Sequence, residues 1–479
     1  MFKNSNKSGK LINRHFSLLI YIFCLIVTLI VLYQGRMEYL FPLPSADMDQ
    51  FTALKEAVRI YHGHYIHKSY MLSPAYTLIL ALFVLISGGK LIFIRILQIS
   101  IAALIPVFIY KLSRHLRINF KASQAAAFLY CFYGPAILIS MSLLRASLLA
   151  LCFLLLTYFL ILGFKRKKSY YFIISGLFAG LTILGRENFI PVIFMPLLFL
   201  FSQYFRNMKN IKKFIALYII ASISILLPCL LYNYFNYGSF AIIPGNLNNV
   251  ISCYHGQGLE NLQNKDYFQK FMINIPHQFM KFILSYEIPN SLSFYAHKEI
   301  IPALQLMFIT FNAIIISALI GVYLNFKNKG VQLIALLICS YIGTMLYFEM
   351  FYRFRIPVVP LLFVLTATAI HKFTYLKKKE QFYILSLSII LFFITYRTPE
   401  KLMLKNEKIS IATVLVNNNH LMRAESYMDK LLKQSIFPEK LWLKLSSKYY
   451  QNGNIQASIR ILNKYKQQIN DKNTQKVKQ

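Results

Sequence analysis

The chain is poor in acidic residues: 17 Asp and Glu stand against 52 Lys and Arg in 479 residues, and charged residues make up only 14%. A soluble domain of this length carries far more charge on its surface. There is no glycine-rich loop of the kind that cradles a nucleotide phosphate, and no lysine set in such a motif, so nucleotide-driven chemistry is disfavoured. Five of the six cysteines (Cys24, Cys131, Cys152, Cys229 and Cys339) lie inside apolar stretches and Cys253 lies in a long loop. No pair has the spacing of a zinc site, and no disulfide framework is legible.

What the chain has in abundance is hydrocarbon, with 57% hydrophobic residues. Many runs reach the roughly 18–20 apolar residues that cross about 30 Å of bilayer core. The net charge of +35 would suit a nucleic-acid partner. Its distribution does not, because most Lys and Arg sit in short loops flanking apolar runs, without interleaved aromatics. The charge is therefore topogenic. At the N-terminus Lys3, Lys7, Lys10 and Arg14 precede an apolar run over 16–33. The run is long and no small-x-small cleavage signal follows, so it is expected to be a first span rather than a signal peptide.

The topology follows from the basic loops. If the runs 73–88 and 91–112 both cross, the basic segments 111–121, 165–168 and 206–213 fall outside, against the positive-inside rule. If 73–88 instead lies in the interface or re-enters, every strongly basic loop becomes cytoplasmic. That run is short, begins Ser73-Pro74 and ends Gly88-Gly89, which suits a helix that does not cross. The spans are then about 16–34, 91–112, 121–141, 143–164, 169–185, 188–205, 213–236, 301–325, 331–349, 356–371 and 381–396. An all-α polytopic protein of about eleven spans is expected, in the cytoplasmic (inner) membrane, with its N-terminus cytoplasmic and its C-terminal tail outside. Cys131 and Gly134-Pro135 predict a break in the span 121–141.

This arrangement puts the unusual polar residues on one side. Outside lie Asp47-Met48-Asp49, Arg145, Arg186-Glu187-Asn188, a long loop over 237–300 with Glu287, and Tyr352-Arg353-Phe354-Arg355. Charges at the ends of apolar spans are costly and usually functional. The plain reading of each is an interfacial anchor or a structural ion pair. Gathered on one face, carboxylates and arginines suit transfer from a lipid-phosphate-linked sugar. A carboxylate takes the proton of the attacking hydroxyl or amide, and arginines hold the departing lipid phosphate. Asp47-x-Asp49 is a D-x-D triplet, but nucleotide sugars are scarce outside the cytoplasm.

At these residues the chain resembles the polytopic glycosyltransferases of the GT-C fold. More narrowly it resembles the family-39 type, related to protein mannosyltransferases and the aminoarabinose transferases of lipid A. The likeness is spread over 1–400. It runs through Ala57-x-x-Ile60-x-x-Gly63, Ser73-Pro74-Ala75-Tyr76, Arg95-x-x-Gln98, Tyr133-Gly134-Pro135 and Arg186-Glu187-Asn188. Tyr286-Glu287-Ile288-Pro289-Asn290 resembles an EIPN motif of a bacterial branch with C-terminal repeats, and Tyr352-Arg353-Phe354-Arg355-Ile356-Pro357-x-x-Pro360 resembles an RxRxPxxP segment. The resemblance implies a GT-C-like bundle with interfacial helices in the first outer loop. It also implies a polyprenyl-phosphate sugar donor and a catalytic Asp in that loop, matched by Asp49 or Asp47. Arg353, Arg355, Arg186 and Arg145 are then the expected phosphate ligands, and Glu187, Glu287 and Asn290 the expected substrate-loop residues. Family members often carry a second acidic residue where this chain has Leu143-Leu144-Arg145. That departure weakens any claim of a metal site; a divalent metal is left open, and no other cofactor is implied.

After Pro399 the chain turns polar and helical. Trp442-x-x-Leu445-x-x-x-Tyr449-x-x-x-Gly453-x-x-x-x-Ser458 follows the tetratricopeptide pattern, and Ser458 follows Ala424 by 34 residues, the repeat period. The expected division is a transferase domain over 1–396, with a large outer loop over 237–300, and a tetratricopeptide-like tail over 397–479. One and a half to two repeats are too few to stand alone, so the tail is expected to pack on the membrane domain or on an envelope protein. A transporter or flippase is the competing reading, against which the one-sided charges and the lack of internal repeats argue. A non-catalytic envelope scaffold using the repeats is another.

Overall fold

The computed structural model describes residues 5–37, 49–63, 73–192, 194–195, 211–238, 240, 265–289, 293–346, 350–398 and 401–477. Among them every regular element is helical. In chain order these are α1 (Ser5–Met37), α2 (Asp49–Tyr61), α3 (Pro74–Ser87), α4 (Leu91–Ala102), α5 (Leu104–His115), α6 (Phe120–Tyr130) and α7 (Gly134–Met141). There follow α8 (Ala146–Arg166), α9 (Ser169–Gly185), α10 (Ile211–Tyr237), α11 (Lys265–Ile283), α12 (Phe294–Ile300), α13 (Pro302–Gln305), α14 (Phe311–Leu324) and α15 (Lys329–Met345). The last are α16 (Tyr352–Arg355), α17 (Val359–Phe373), α18 (Lys378–Thr395), α19 (Lys401–Asn417), α20 (Leu421–Lys433), α21 (Glu439–Gln451) and α22 (Ile455–Val477). The chain forms two compact units: Met1–Leu29, Thr52–Leu292 and Leu306–Thr398 make one, and Ile30–Phe51, Ser293–Gln305 and Pro399–Gln479 make the other.

The protein is a multi-pass membrane protein. Five helical stretches are long and apolar enough to cross: His15–Gly35, Leu91–His115, Ala146–Arg166, Ile211–Asn236 and Tyr352–Phe373. A sixth is the pair α6 and α7, bent by 57° at the expected break. Pro135 causes it: with no N–H and a ring that crowds the preceding turn, it sits only in the first turn of the new helix α7. Four more apolar helices (α3, α9, α14 and α15) have 14–17 residues and rise about 21–26 Å. The expected count of about eleven needs α9, α14 and α15 to cross as well, and α18 too, with α3 lying in the interface or re-entering as expected. The expected span 188–205 falls largely outside the described residues, as do the loop 241–264 and Cys253.

Two local signals set up one end of this unit. Ser73 caps α3, its Oγ accepting from the Tyr76 amide at 3.4 Å, with Pro74 in the first turn. Gly88, at φ 60°, closes it as a left-handed C-terminal residue. The Ser73 Oγ also donates to the Leu184 carbonyl at 3.3 Å, tying the start of α3 to the end of α9. The amphipathic α2 buries Ala53 and Ala57 in a cluster with Tyr76, Leu80, Val84 and Leu143, while Arg59 and Glu56 pair at 2.8 Å on its exposed side.

Without a hydrophobic driving force between lipid-embedded helices, close backbone approach does the packing. Gly176-x-x-x-Gly180 supplies it for α9 against α10: a Cβ at Gly180 would meet the Ser222 carbonyl at 2.6 Å and Ile225 Cβ at 2.7 Å. Gly321 does the same for α14 against the Leu365 carbonyl of α17.

In the second unit, α19–α22 form two helical hairpins. Each has a left-handed residue at its turn, Asn419 (φ 61°) and Gly453 (φ 77°), and α20 and α22 each start two residues later. Trp442 and Ala424 are fully buried. Ser446 Oγ lies 2.8 Å from Ser458 Oγ, showing how closely α21 and α22 approach. Glu425 is the ionic hub, receiving Arg460 at 2.8 Å, Lys464 at 3.1 Å and the Tyr449 hydroxyl at 3.2 Å.

Two outcomes follow. Gly180→Val is expected to cost about 1–3 kcal/mol by overpacking α9 on α10, lowering the melting temperature in detergent. Gly343→Ala, whose Cβ meets nothing within 4 Å, should leave that temperature unchanged. Burial raises the Glu425 pKa, but hydrogen bonds from Arg460 and Lys464 outweigh it and hold it below its ordinary 4.5. Ionised Glu425 therefore stabilises the second unit above that value, and the contribution is lost as pH falls through the lowered one. The single tryptophan, Trp442, reports it: its fluorescence-detected unfolding should lose stability below about pH 4.5, and Glu425→Gln should flatten that dependence.

Candidate active site

One end of the first unit collects what the sequence put outside. The foundation is a buried pair. Arg355 Nη1 lies 3.1 Å from Glu287 Oε2, with the two side chains 0% and 3% exposed. Arg355 Nη2 donates to the Lys281 carbonyl, and its guanidinium lies over the Phe311 ring at 4.6 Å. The Tyr133 hydroxyl, from the α6–α7 break, donates to the other Glu287 oxygen at 2.8 Å. The Tyr352 amide donates to the Ile288 carbonyl at 2.9 Å. Burial pushes the Glu287 carboxyl above its ordinary pKa, opposed by the Arg355 charge and by the hydrogen bonds from Tyr133 and Arg355.

Above that foundation stand three half-buried arginines. Arg186 follows the last residue of α9, and its guanidinium lies 4.0 Å from the Phe354 ring centre. Arg353 lies over the same ring at 5.2 Å. Arg145 precedes the first residue of α8. The Tyr341 hydroxyl links the set: it donates to the Phe354 carbonyl at 2.8 Å and feels the charges of both Arg186 and Arg145. Phe153, Phe189 and Tyr341 pack together beneath it. Asn188 adds a donor, since its Nδ2 is buried with no acceptor among the described residues, which leaves it for a ligand oxygen or water.

A second polar network braces the same end. The Tyr76 hydroxyl donates to Gln98 Oε1 at 2.8 Å. Gln98 Nε2 donates to the Ser140 and Ser142 carbonyls at 2.9 and 2.5 Å. This satisfies the open end of α7 and holds the segment leading to Arg145.

The structure thus brings Arg145, Arg186 and Arg353 together around Tyr341 and Phe354. It does not bring Arg355 to them as a fourth anion ligand. Arg355 is fully buried and committed to Glu287, so its expected role as a phosphate ligand does not fit this geometry. Glu287 correspondingly points into the protein rather than toward a substrate. Glu187 lies in the short turn Glu187–Phe189, within electrostatic reach of Cys229 on α10. Asp49 is the first residue of α2. Asp47 and Asn290 lie outside the described residues. Among the described residues, no three His, Cys, Asp or Glu side chains gather as a metal site. The sequence reading missed Tyr341 and the linking role of Phe354. Neither carries a signal in an apolar run, since an aromatic there is ordinarily core.

Residues 72–232 match the family described as dolichyl-phosphate-mannose-protein mannosyltransferase. No curated protein matches the chain. Among solved structures, the chain is similar to the apo oligosaccharyltransferase of Archaeoglobus fulgidus at 14% identity and TM-score 0.47. That match covers 86% of this chain and 56% of that one, so the chain spans little more than half the length of that relative. It is also similar to ArnT from Cupriavidus metallidurans bound to undecaprenyl phosphate, at 11% identity and TM-score 0.47, covering 96% of this chain and 75% of that one. The apo form of the same ArnT gives 11% identity and TM-score 0.44, covering 96% and 73%.

Removing one partner of a buried ion pair strands the other charge, at a cost of about 3–5 kcal/mol, whereas an apolar pair is often neutral. Glu287→Ala is therefore expected to lower thermal stability strongly. The double change Glu287→Leu with Arg355→Met should recover most of the loss, as a double-mutant cycle on detergent-solubilised protein will show.

Proposed function

We propose that the chain is a glycosyltransferase of the GT-C type. It takes a sugar from a polyprenyl-phosphate carrier and transfers it to a protein, lipid or glycan acceptor on the extracytoplasmic face of the inner membrane. The observation that carries the reading is the set Arg145, Arg186 and Arg353 gathered around Tyr341 and Phe354 at one end of a lipid-embedded bundle. A lipid phosphate lies at the depth of such helix ends, and guanidinium groups pair with phosphate oxygens in forks. The match of 72–232 to the mannosyltransferase family supports the same chemistry.

In the proposed reaction the acceptor oxygen or nitrogen attacks the anomeric carbon as the bond from that carbon to the phosphate oxygen breaks. The acceptor proton passes to an aspartate of the first outer loop, Asp49 or Asp47. The lipid phosphate leaves with one more negative charge than it had as a diester, and the three arginines stabilise that charge where it develops. Asn188 donates a further hydrogen bond. Glu287 and Arg355 position Tyr133 and the α16 turn. A substrate-loop role is kept for Glu187 and Asn290. The tail over 397–479 is proposed to be a tetratricopeptide-like domain, on the same outer side, that receives an envelope protein.

Membranes holding the protein should consume a labelled polyprenyl-phosphate sugar pool. Asp49→Asn or Asp47→Asn should abolish turnover, and Arg186→Gln should reduce it about 10²–10³-fold, as loss of one preorganised donor does. Turnover unchanged in the double aspartate variant across a broad donor panel would sink this mechanism.

A further inference from the structure

The opposite end of the same helices holds a second charged site with no role in the transfer. α8 has 21 residues, so Lys165 in its last turn lies about 30 Å from Arg145 at its start. There Arg117, Lys165, Asn325, Lys327, Asn328 and Lys329, with the apolar Leu116, Ile161, Phe164 and Leu333, line a cavity of about 690 Å³. Four of the lining residues are cationic and none is a carboxylate.

The wall is fixed in place. Asn328 Nδ2 donates to the Leu116 carbonyl at 3.3 Å, and Asn328 Oδ1 accepts from the Gly330 amide at 2.9 Å. Lys165 Nζ donates to the His115 carbonyl. Arg117 takes the left-handed conformation at φ 63°, a conformation that costs a residue with a Cβ. Gly330 packs on Leu116 where a Cβ would collide.

The plain account of these cations is topogenic charge, which needs neither a cavity nor a fixed wall. Cations gathered around one concavity make a positive field that favours an anion there. The apolar lining residues and the position at helix ends, at headgroup depth, say what kind. We propose that this cavity binds the phosphodiester headgroup of an anionic phospholipid. The glycerol and first acyl carbons would rest on Ile161, Phe164 and Leu333. The positive-inside rule assigns this end to the cytoplasmic leaflet, where basic pockets between spans take such headgroups. The site joins the α5 terminus, the α8 terminus and the α14–α15 loop, so an occupant clamps three parts of the bundle. It stands independently of the proposed transfer reaction.

The test compares the full-length protein in phosphatidylcholine nanodiscs with and without one-fifth phosphatidylglycerol. The anionic lipid should raise the apparent Tm by about 2–4 °C, as a ligand in modest excess does in a large chain. Lys165→Gln with Lys327→Gln should abolish the rise, whereas Lys377→Gln with Lys378→Gln, also basic and exposed, should keep it. An equal rise in both variants would mean general surface attraction and overturn the site. Inorganic phosphate reproducing the rise in pure phosphatidylcholine would replace the phospholipid with a soluble anion. Should the cavity variant fail to fold, a photoreactive phosphatidylglycerol on wild type decides. Labelling near Phe164 and Asn328 supports the site, and labelling spread over the lipid-facing helices overturns it.

Discussion

A carboxylate that leaves water for the interior of a lipid-embedded bundle survives as an ion only against a fixed cation and hydrogen-bond donors. Glu287 has both, in Arg355 at 3.1 Å and the Tyr133 hydroxyl at 2.8 Å. Through them it joins three pieces of backbone that the chain leaves irregular: the proline break between α6 and α7, the segment after α11, and the turn that starts α17. Arg353 and Arg355 are two residues apart on that turn, and such neighbours on a helix face apart. Locking Arg355 inward therefore turns Arg353 outward, over Phe354 and toward Arg186. The ion pair stabilises, and it also sets the direction in which Arg353 points.

The bundle has two charged poles with different logic. At one, three arginines meet aromatic rings and tyrosine hydroxyls. Rings hold a guanidinium in place without neutralising it. At the other, lysines and Arg117 surround a concavity lined in part by apolar side chains. Between the poles the spans pack through small residues, Gly176 and Gly180 on α9 and Gly321 on α14. Some polar side chains there are satisfied within their own helix, as where Thr157 donates to the Phe153 carbonyl, and others across helices, as where Ser175 donates to the Leu156 carbonyl.

The tail uses a different chemistry. Its helices are polar, and they bury an apolar set that includes Leu415, Val416, Ala424, Met428, Trp442 and Leu445. Glu425 draws Arg460, Lys464 and Tyr449 to one point across three helices. The two hairpins turn at left-handed residues, Asn419 and Gly453.

The amino-acid sequence by itself determined the helical class, the long spans, the ends of α3 and the break at Pro135. Each depends on local chemistry: apolar length against bilayer thickness, capping side chains, and proline's missing donor. It also separated basic loops from the acidic and arginine-bearing ends, because charge near a span end is a linear pattern. It picked out Arg145, Arg186, Arg353 and Arg355 as candidates on the same grounds. Only the tertiary structure decided that Arg355 is consumed by Glu287, 68 residues away in the chain. It alone showed that Tyr341 and Phe354 join the remaining arginines, and that three distant basic segments enclose a cavity. Which of two neighbouring arginines faces inward depends on where a buried carboxylate lies in space, and no spacing along the chain records that.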